Sequence, residues 1–169
     1  MNFINIKNVT NVKITDFTIC DACGFELWEP LLLLEYSVLG LYDDARFPGR
    51  CILKYHHHVE HLADLSAYEL QHFTEDMRIA GKLLTKAFNP RRINYAILGN
   101  AESHLHAHLI PRYGTDPVPQ QSPWNHPEKV SKLSAEKKEN IFKEILAALD
   151  SQEMSMYDIR ADSNLMQYL

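Results

Sequence analysis

Apolar positions follow two different rhythms along this chain. Residues 31–42 (Leu-Leu-Leu-Leu-Glu-Tyr-Ser-Val-Leu-Gly-Leu-Tyr) are dense in strand formers and predict one or two β-strands. Asp43 to Gly49 follows as a turn punctuated by Pro48-Gly49, and Arg50 to Tyr55 predicts the next strand, so the pair forms an antiparallel hairpin. Over residues 66–88 the rhythm becomes helical. Leu70, Phe73, Met77, Leu84 and Ala87 recur on one face, Ser66 and Glu69 form a capping box, and Pro90 is the stop. Ile93–Leu98 and Leu105–Pro111 return to strand, joined by a tight Gly99-Asn100 loop. Residues 114–128 hold four prolines and no period, which predicts a long surface loop. Ser134 to about Leu149 is a second helix, with Ile141, Ile145 and Leu149 on one face. Residues 1–19 suit a short strand and an extended arm equally, and the last twenty residues are ambiguous. Strands, helix, strands, helix in that order predict an α+β fold with a mainly antiparallel sheet.

Composition narrows the function classes. A length of 169 residues suits one domain, with a core at about 20–115 and a loop, helix and tail over 114–169. The net charge of −5 leaves no basic footprint, so nucleic acid is not an expected partner. A small phosphate ligand needs only a local site and remains open. Three cysteines are too few for a secreted disulfide scaffold. The longest apolar run, Leu31–Leu34, is far too short to span a bilayer, and the N-terminus lacks a signal-type apolar region. The expected location is therefore cytoplasmic, without a membrane partner.

The chemistry concentrates in the second strand pair. His104, His106 and His108 alternate with Leu105, Ala107 and Leu109. Alternate side chains of a strand share a face, about 6.6 Å apart along it. Three readings compete. One is a polar strand face. Another is a metal site, since H-x-H supplies two ligands of the three that a catalytic zinc requires. The last is nucleophilic catalysis: a carbonyl accepting from one ring nitrogen leaves the other free to attack phosphorus, with flanking imidazoles on the phosphoryl oxygens.

The stretch Gly99-Asn-Ala-Glu-Ser-His-Leu-His-Ala-His-Leu-Ile-Pro-Arg-Tyr113 resembles the signature of the histidine triad (HIT) family, His-φ-His-φ-His-φ-φ with φ apolar. Phe47 to His58 resembles the family's hairpin strand, which ends at a histidine and leads into the long helix; the likeness extends over about residues 20–115. It implies the HIT-like α+β fold, a homodimer, and a purine nucleotide bound near the hairpin turn. It implies that His106 attacks the nucleotide α-phosphate and forms a nucleotidyl-histidine that water or another acceptor releases. His108 would bind phosphoryl oxygens, and no catalytic metal is required. Asp43, or Asp44 beside it, is the candidate for the ribose hydroxyls.

Some family members also carry a structural zinc, whose ligands fall here on Cys20, Cys23, His58 and His104, a closed Cys₂His₂ set. The other readings of Cys20 and Cys23 are a redox pair or buried thiols, and His56 or His57 could replace His58 if the strand register shifts. His61, His72 and His126 read as surface or loop histidines, and Cys51 as a small buried hydrophobe. Trp124 either packs or covers a ligand. Asn100 either donates to phosphate or shapes its turn.

Two departures bear on the leaving group. Arg50 stands where many members have a fourth histidine; it offers a fork of donors but accepts no proton. The loop Gly-Asn-Ala-Glu-Ser is shorter than the usual Gly-rich loop, a form similar to diadenosine tetraphosphate hydrolase-like members, and Ser103 is a candidate contact there. The expected activity is cleavage of a phosphoanhydride or phosphoramidate at a nucleotide α-phosphate. A non-catalytic nucleotide-binding module and a zinc hydrolase are the alternatives.

Overall fold

The computed structural model describes residues 14–27 and 29–168, with Thr15 and Asp16 described by backbone only. Among the described residues, six strands form one antiparallel sheet: β1 (Pro30–Leu33), β2 (Ser37–Leu41), β3 (Cys51–Tyr55), β4 (Arg92–Ala96), β5 (His106–Arg112) and β6 (Arg160–Ala161), in the order β4-β5-β3-β2-β1-β6. The predicted 31–42 segment is two strands, because Glu35 and Tyr36 turn between β1 and β2, where Leu34 N–H bonds the Ser37 carbonyl.

Helices α2 (Ala67–Phe88) and α3 (Ala135–Leu149) cover one face of the sheet, after a single helical turn, α1 (Thr15–Thr18). At the start of α2 the Ser66 hydroxyl accepts from Glu69 N–H, and the Glu69 carboxylate accepts from Ser66 N–H at 2.9 Å. Asn89 ends the helix at φ 44°, in the left-handed conformation that asparagine tolerates, one residue before Pro90. The buried stripe is Phe73, Asp76, Ile79, Ala80, Leu83 and Leu84, whereas Leu70, Met77 and Ala87 are only half-buried at its margins. Asp76 is tolerated inside because Tyr36 N–H and the Ser37 hydroxyl both donate to its carboxylate. Ile141, Ile145 and Leu149 of α3 enter the same core, with Leu53, Ala107 and Leu109 from the sheet.

The opposite sheet face is covered by residues 14–27. Ile14, Cys20, Phe25 and Leu27 pack there on Leu33, Val38 and Ile52. The predicted strand or arm over 1–19 is a helical turn where described, and its first thirteen residues lie outside the described ones. Gly40 in β2 lets Leu27 rest directly on the strand; a Cβ there would fall 2.3 Å from Leu27 Cδ2.

Two loops depart from expectation. The β4–β5 connection is not a tight Gly99-Asn100 turn but residues 97–105. Leu105 N–H bonds the Val59 carbonyl at 2.7 Å and not β4, so the chain crosses to the end of β3 before β5 begins. The proline-rich loop contains a 3₁₀ turn, Pro123–Asn125, and is anchored by buried Arg112, which donates to the Val118 and Gln121 carbonyls and pairs with Asp116. The tail adds a 3₁₀ turn (Met154–Met156), β6 on the edge of β1, and α4 (Ser163–Met166). No helix among the described residues is long and apolar enough to cross a membrane.

Candidate active site and metal centre

Strand alternation puts His106 and His108 on the face opposite the helices, beside Lys54 and Ile52 of β3. His104 lies just before the strand. The Phe25 ring stacks against His104 (5.5 Å between centroids) and His106 (5.2 Å), so the N-terminal segment forms one wall of the row.

Each imidazole has a different set of partners. His104 Nε2 donates to the Tyr55 carbonyl at 2.9 Å, which leaves Nδ1 unprotonated and turned to Cys23 Sγ at 3.5 Å. His106 Nδ1 donates to the His104 carbonyl at 2.7 Å, so its lone pair lies on Nε2. His108 Nδ1 sits 3.3 Å from Arg50 Nη2, and its ring meets His106 edge-on at 5.1 Å. Burial, and next the Arg50 charge, pulls the His108 imidazole from its ordinary 6.5 down to about 4.

That shift makes a pH prediction. The folded protein keeps His108 neutral, whereas the unfolded chain binds a proton below about pH 6.5. Stability from this group is therefore full above about pH 6.5 and declines as the pH falls towards about 4. The check is a series of urea midpoints across that interval, in which His108→Gln should flatten the decline.

Arg50 is buried. Its Nη1 donates to Asp44 at 2.8 Å, and its guanidinium lies over Tyr42, 4.0 Å from the centroid. Asp44 is fully buried and shared with Arg46 at 2.8 Å. Burial pushes its carboxyl up, but the Arg46 and Arg50 bonds outweigh this and hold it below the usual range. Asp44→Asn would leave Arg50 buried without its counter-ion, and a loss of about 3 kcal/mol is expected in chemical denaturation.

Asp43 points elsewhere: its carboxylate accepts from Leu133 N–H at 2.7 Å and lies 3.3 Å from Lys138. Asn100 and Ser103 are exposed in the 97–105 loop. Trp124 lies over the site edge, 5.8 Å from the His108 ring. His61 is exposed, His72 stacks on Tyr36, and His126 packs edge-on against Phe47. Cys51 is fully buried. A cavity of about 580 Å³ near the hairpin turn is walled by Phe47, Phe88, Tyr113, His126 and Ile141; His104, His106 and His108 do not line it.

Beside the row, donor atoms of Cys20, Cys23, His58 and His104 lie within 4.8 Å of one another. His58 Nδ1 is 3.7 Å from Cys20 Sγ. Ligands bonded tetrahedrally at about 2.0–2.3 Å lie roughly 3.3–3.8 Å from each other, so these pairs suit one zinc ion. The backbone supports the set. Gly24, at φ 75°, returns its N–H to the Cys20 carbonyl at 2.7 Å and makes a compact knuckle of Cys20–Gly24. Burial opposes ionisation of Cys20, but the Cys23 and Ala22 N–H groups aimed at its sulfur bring the thiol below its ordinary value. His56 leans against Phe17 with the rings tilted by 36°, and His57 is exposed; neither joins the group. His106 and His108 also lie outside it.

Phe25, Lys54 and Arg112 shape this site without any signal in spacing alone. Lys54 is buried beside the cluster and donates to the Phe17 carbonyl at 2.8 Å. Gly24 directly after the C-x-x-C pair is the one sequence cue to the knuckle.

Comparison with known proteins defines the class. The model of the HIT domain matches residues 31–115. A histidine triad protein from Sinorhizobium meliloti superposes with a TM-score of 0.61 at 24% identity, covering 68% of this chain and 84% of its own. A histidine triad protein from Bradyrhizobium japonicum gives 0.63 at 20%, covering 69% and 86%. A Plasmodium falciparum diadenosine triphosphate hydrolase gives 0.51 at 18%, covering 73% and 78%. At these identities the likeness speaks for the fold. A search of curated proteins gives no significant match. The chain belongs to the HIT family, a family of nucleotide-binding hydrolases and transferases.

Proposed function

We propose that this protein cleaves a phosphoanhydride or phosphoramidate bond at the α-phosphate of a purine nucleotide, with His106 Nε2 as the nucleophile. The hydrogen bond from His106 Nδ1 to the His104 carbonyl carries the reading. It fixes the tautomer with the free pair on Nε2, and it stabilises the positive charge that the ring gains on bonding phosphorus. The Nε2–P bond forms as the bond to the leaving group breaks, and the electron pair departs with that group. Water then attacks phosphorus, the N–P bond breaks, the pair returns to Nε2, and a proton passes to solvent. His108 binds the phosphoryl oxygens.

His104 acts through its carbonyl, which holds His106, while its ring serves the metal centre. Zinc held by Cys20, Cys23, His58 and His104 would be a structural cross-link, with all four positions filled by protein. Asp43 serves the ribose hydroxyls by exchanging its Lys138 contact while the Leu133 bond stays. Asn100 and Ser103 meet the leaving group from the 97–105 loop. A homodimer through the β4 edge is supported by exposed Tyr95, Ile97 and Leu98.

The test is incubation with dinucleoside polyphosphates and adenosine phosphoramidates. Release of nucleoside monophosphate is expected; binding without release favours a non-catalytic module. Activity lost on chelation while the fold and residues 14–27 stay ordered would favour a zinc hydrolase.

A further inference from the structure

The contact between Arg50 and His108 constrains which leaving groups the site can expel. A guanidinium has five N–H donors and no acceptor. The 3.3 Å approach of Arg50 Nη2 to His108 Nδ1 therefore has one possible direction: Arg50 donates and Nδ1 accepts. His108 then carries its proton on Nε2 and has no site left for another.

Arg50 cannot easily turn away from this contact. Its other terminal nitrogen is held by Asp44 at 2.8 Å, and its guanidinium carbon lies over the rings of Tyr42 (4.0 Å) and Trp124 (5.8 Å). Asp44 is shared by Arg46 and Arg50, so the trio keeps a net positive charge behind His108. The groups facing His108 are Arg50 from β3, His106 from β5, Tyr42 after β2 and Trp124 from the proline-rich loop. Among the described residues no carboxylate pairs with it. Every charge that reaches the ring disfavours an imidazolium.

We infer that Arg50 keeps His108 a neutral hydrogen-bond donor, so that the site expels leaving groups that depart as stable anions and discriminates against amines. The preferred substrate class is then a nucleoside or dinucleoside polyphosphate, not a nucleoside phosphoramidate. The chemistry follows from the electron pair released at phosphorus. When a P–O bond to a phosphate breaks, the pair rests on an oxygen that needs no proton at neutral pH. When a P–N bond breaks, the pair falls on nitrogen, which must gain a proton as the bond opens. An imidazolium could give that proton and return to neutral imidazole. A neutral Nε2–H could give it only by becoming an imidazolate. General-acid assistance contributes about 10²–10⁴-fold where it operates, and here it is withheld from the amine. Arg50 is thus a positioning residue that acts through His108.

This inference rests on the His106 reading above, and the experiment separates the two. AMP release is measured from a diadenosine polyphosphate and from adenosine 5′-phosphoramidate, with wild type, Arg50→Gln and His106→Ala. The wild type should favour the anhydride by at least about 100-fold in kcat/KM. Arg50→Gln should narrow that ratio at least about tenfold, mainly through kcat on the phosphoramidate. His106→Ala should lose both activities. Nitrogen NMR of histidine-labelled wild type should show His108 with Nδ1 bare and Nε2 protonated at neutral pH, a reading that stands even if Arg50→Gln fails to fold. Wild type that cleaves the phosphoramidate equally well, or a His108 imidazolium at neutral pH, would overturn the inference and leave the nucleophile in place. AMP from neither substrate would overturn the nucleophile and this inference with it.

Discussion

The His106→Ala protein is expected to fold and to bind nucleotide while turnover falls by at least about 10³-fold, the scale of removing a covalent nucleophile. The ring is the only part of residue 106 that the proposed reaction uses, and alanine keeps the backbone pairing of Lys54 with residue 106. The main core lies on the other face of the sheet, built from α2, α3 and inward residues such as Leu53 and Ala107, so it does not depend on this ring. What alanine removes locally is the stack with Phe25 and the bond to the His104 carbonyl. His108, still oriented by Arg50, remains to hold the phosphate, which is why binding should outlast chemistry. The measurement is kcat beside nucleotide affinity by calorimetry. Equal losses in both would point to a collapsed site, and undiminished turnover would remove His106 from the mechanism.

With zinc at the proposed Cys20, Cys23, His58 and His104 site, stripping the metal should detach residues 14–27 while the sheet stays intact. Fixing the backbone of these fourteen residues costs about 1–2 kcal/mol each, or roughly 14–28 kcal/mol. Burying Ile14, Phe25 and Leu27 returns about 1.5–3 kcal/mol per large side chain, or roughly 5–9 kcal/mol at most. Packing alone falls short. A structural zinc, at about 10–16 kcal/mol, is of the size needed to make up the shortfall. Cys23→Ser, or chelation, should therefore expose the amides of Cys20, Gly24 and Leu27, whose partners are all within the segment. Amides of β3 and β5 should keep their protection in hydrogen exchange. Because Phe25 walls the histidine row, turnover should fall by about 10–100-fold as the segment leaves. Protection of 14–27 that survives metal removal would show that packing suffices.

The elements of the fold were legible where periodicity was strong. The Ser66–Glu69 box, the two long helices and the hairpin strands carry their own signals, because each buries a regular stripe or face. The 97–105 loop departs from a tight Gly99-Asn100 turn because its course is set by long-range bonds, Leu105 to Val59 and His104 to Tyr55. No local rule expresses those. Residues 14–18 have weak local preference, and their long-range ties, Ile14 packed on the sheet and the Phe17 carbonyl accepting from Lys54, have no local signal. Alternation revealed the histidine row. It could not reveal that His104 faces the cysteines while its carbonyl holds His106, since that division depends on the chain entering β5 beside Tyr55. Arg50 stood out as a departure at its position. Its contact with His108 is visible only once β3 and β5 are paired, with residues 52 and 108 in register. Lys54 had no signal: a lysine on a strand reads as exposed, yet the N-terminal segment covers it.

The most direct test of the central claim is to quench the protein during turnover of a dinucleoside polyphosphate and map the bound nucleotide by mass spectrometry under alkaline conditions. The account predicts a nucleotidyl group on His106 and none on His106→Ala. A nucleotidyl group on a different side chain, with His106 unmodified, would contradict it.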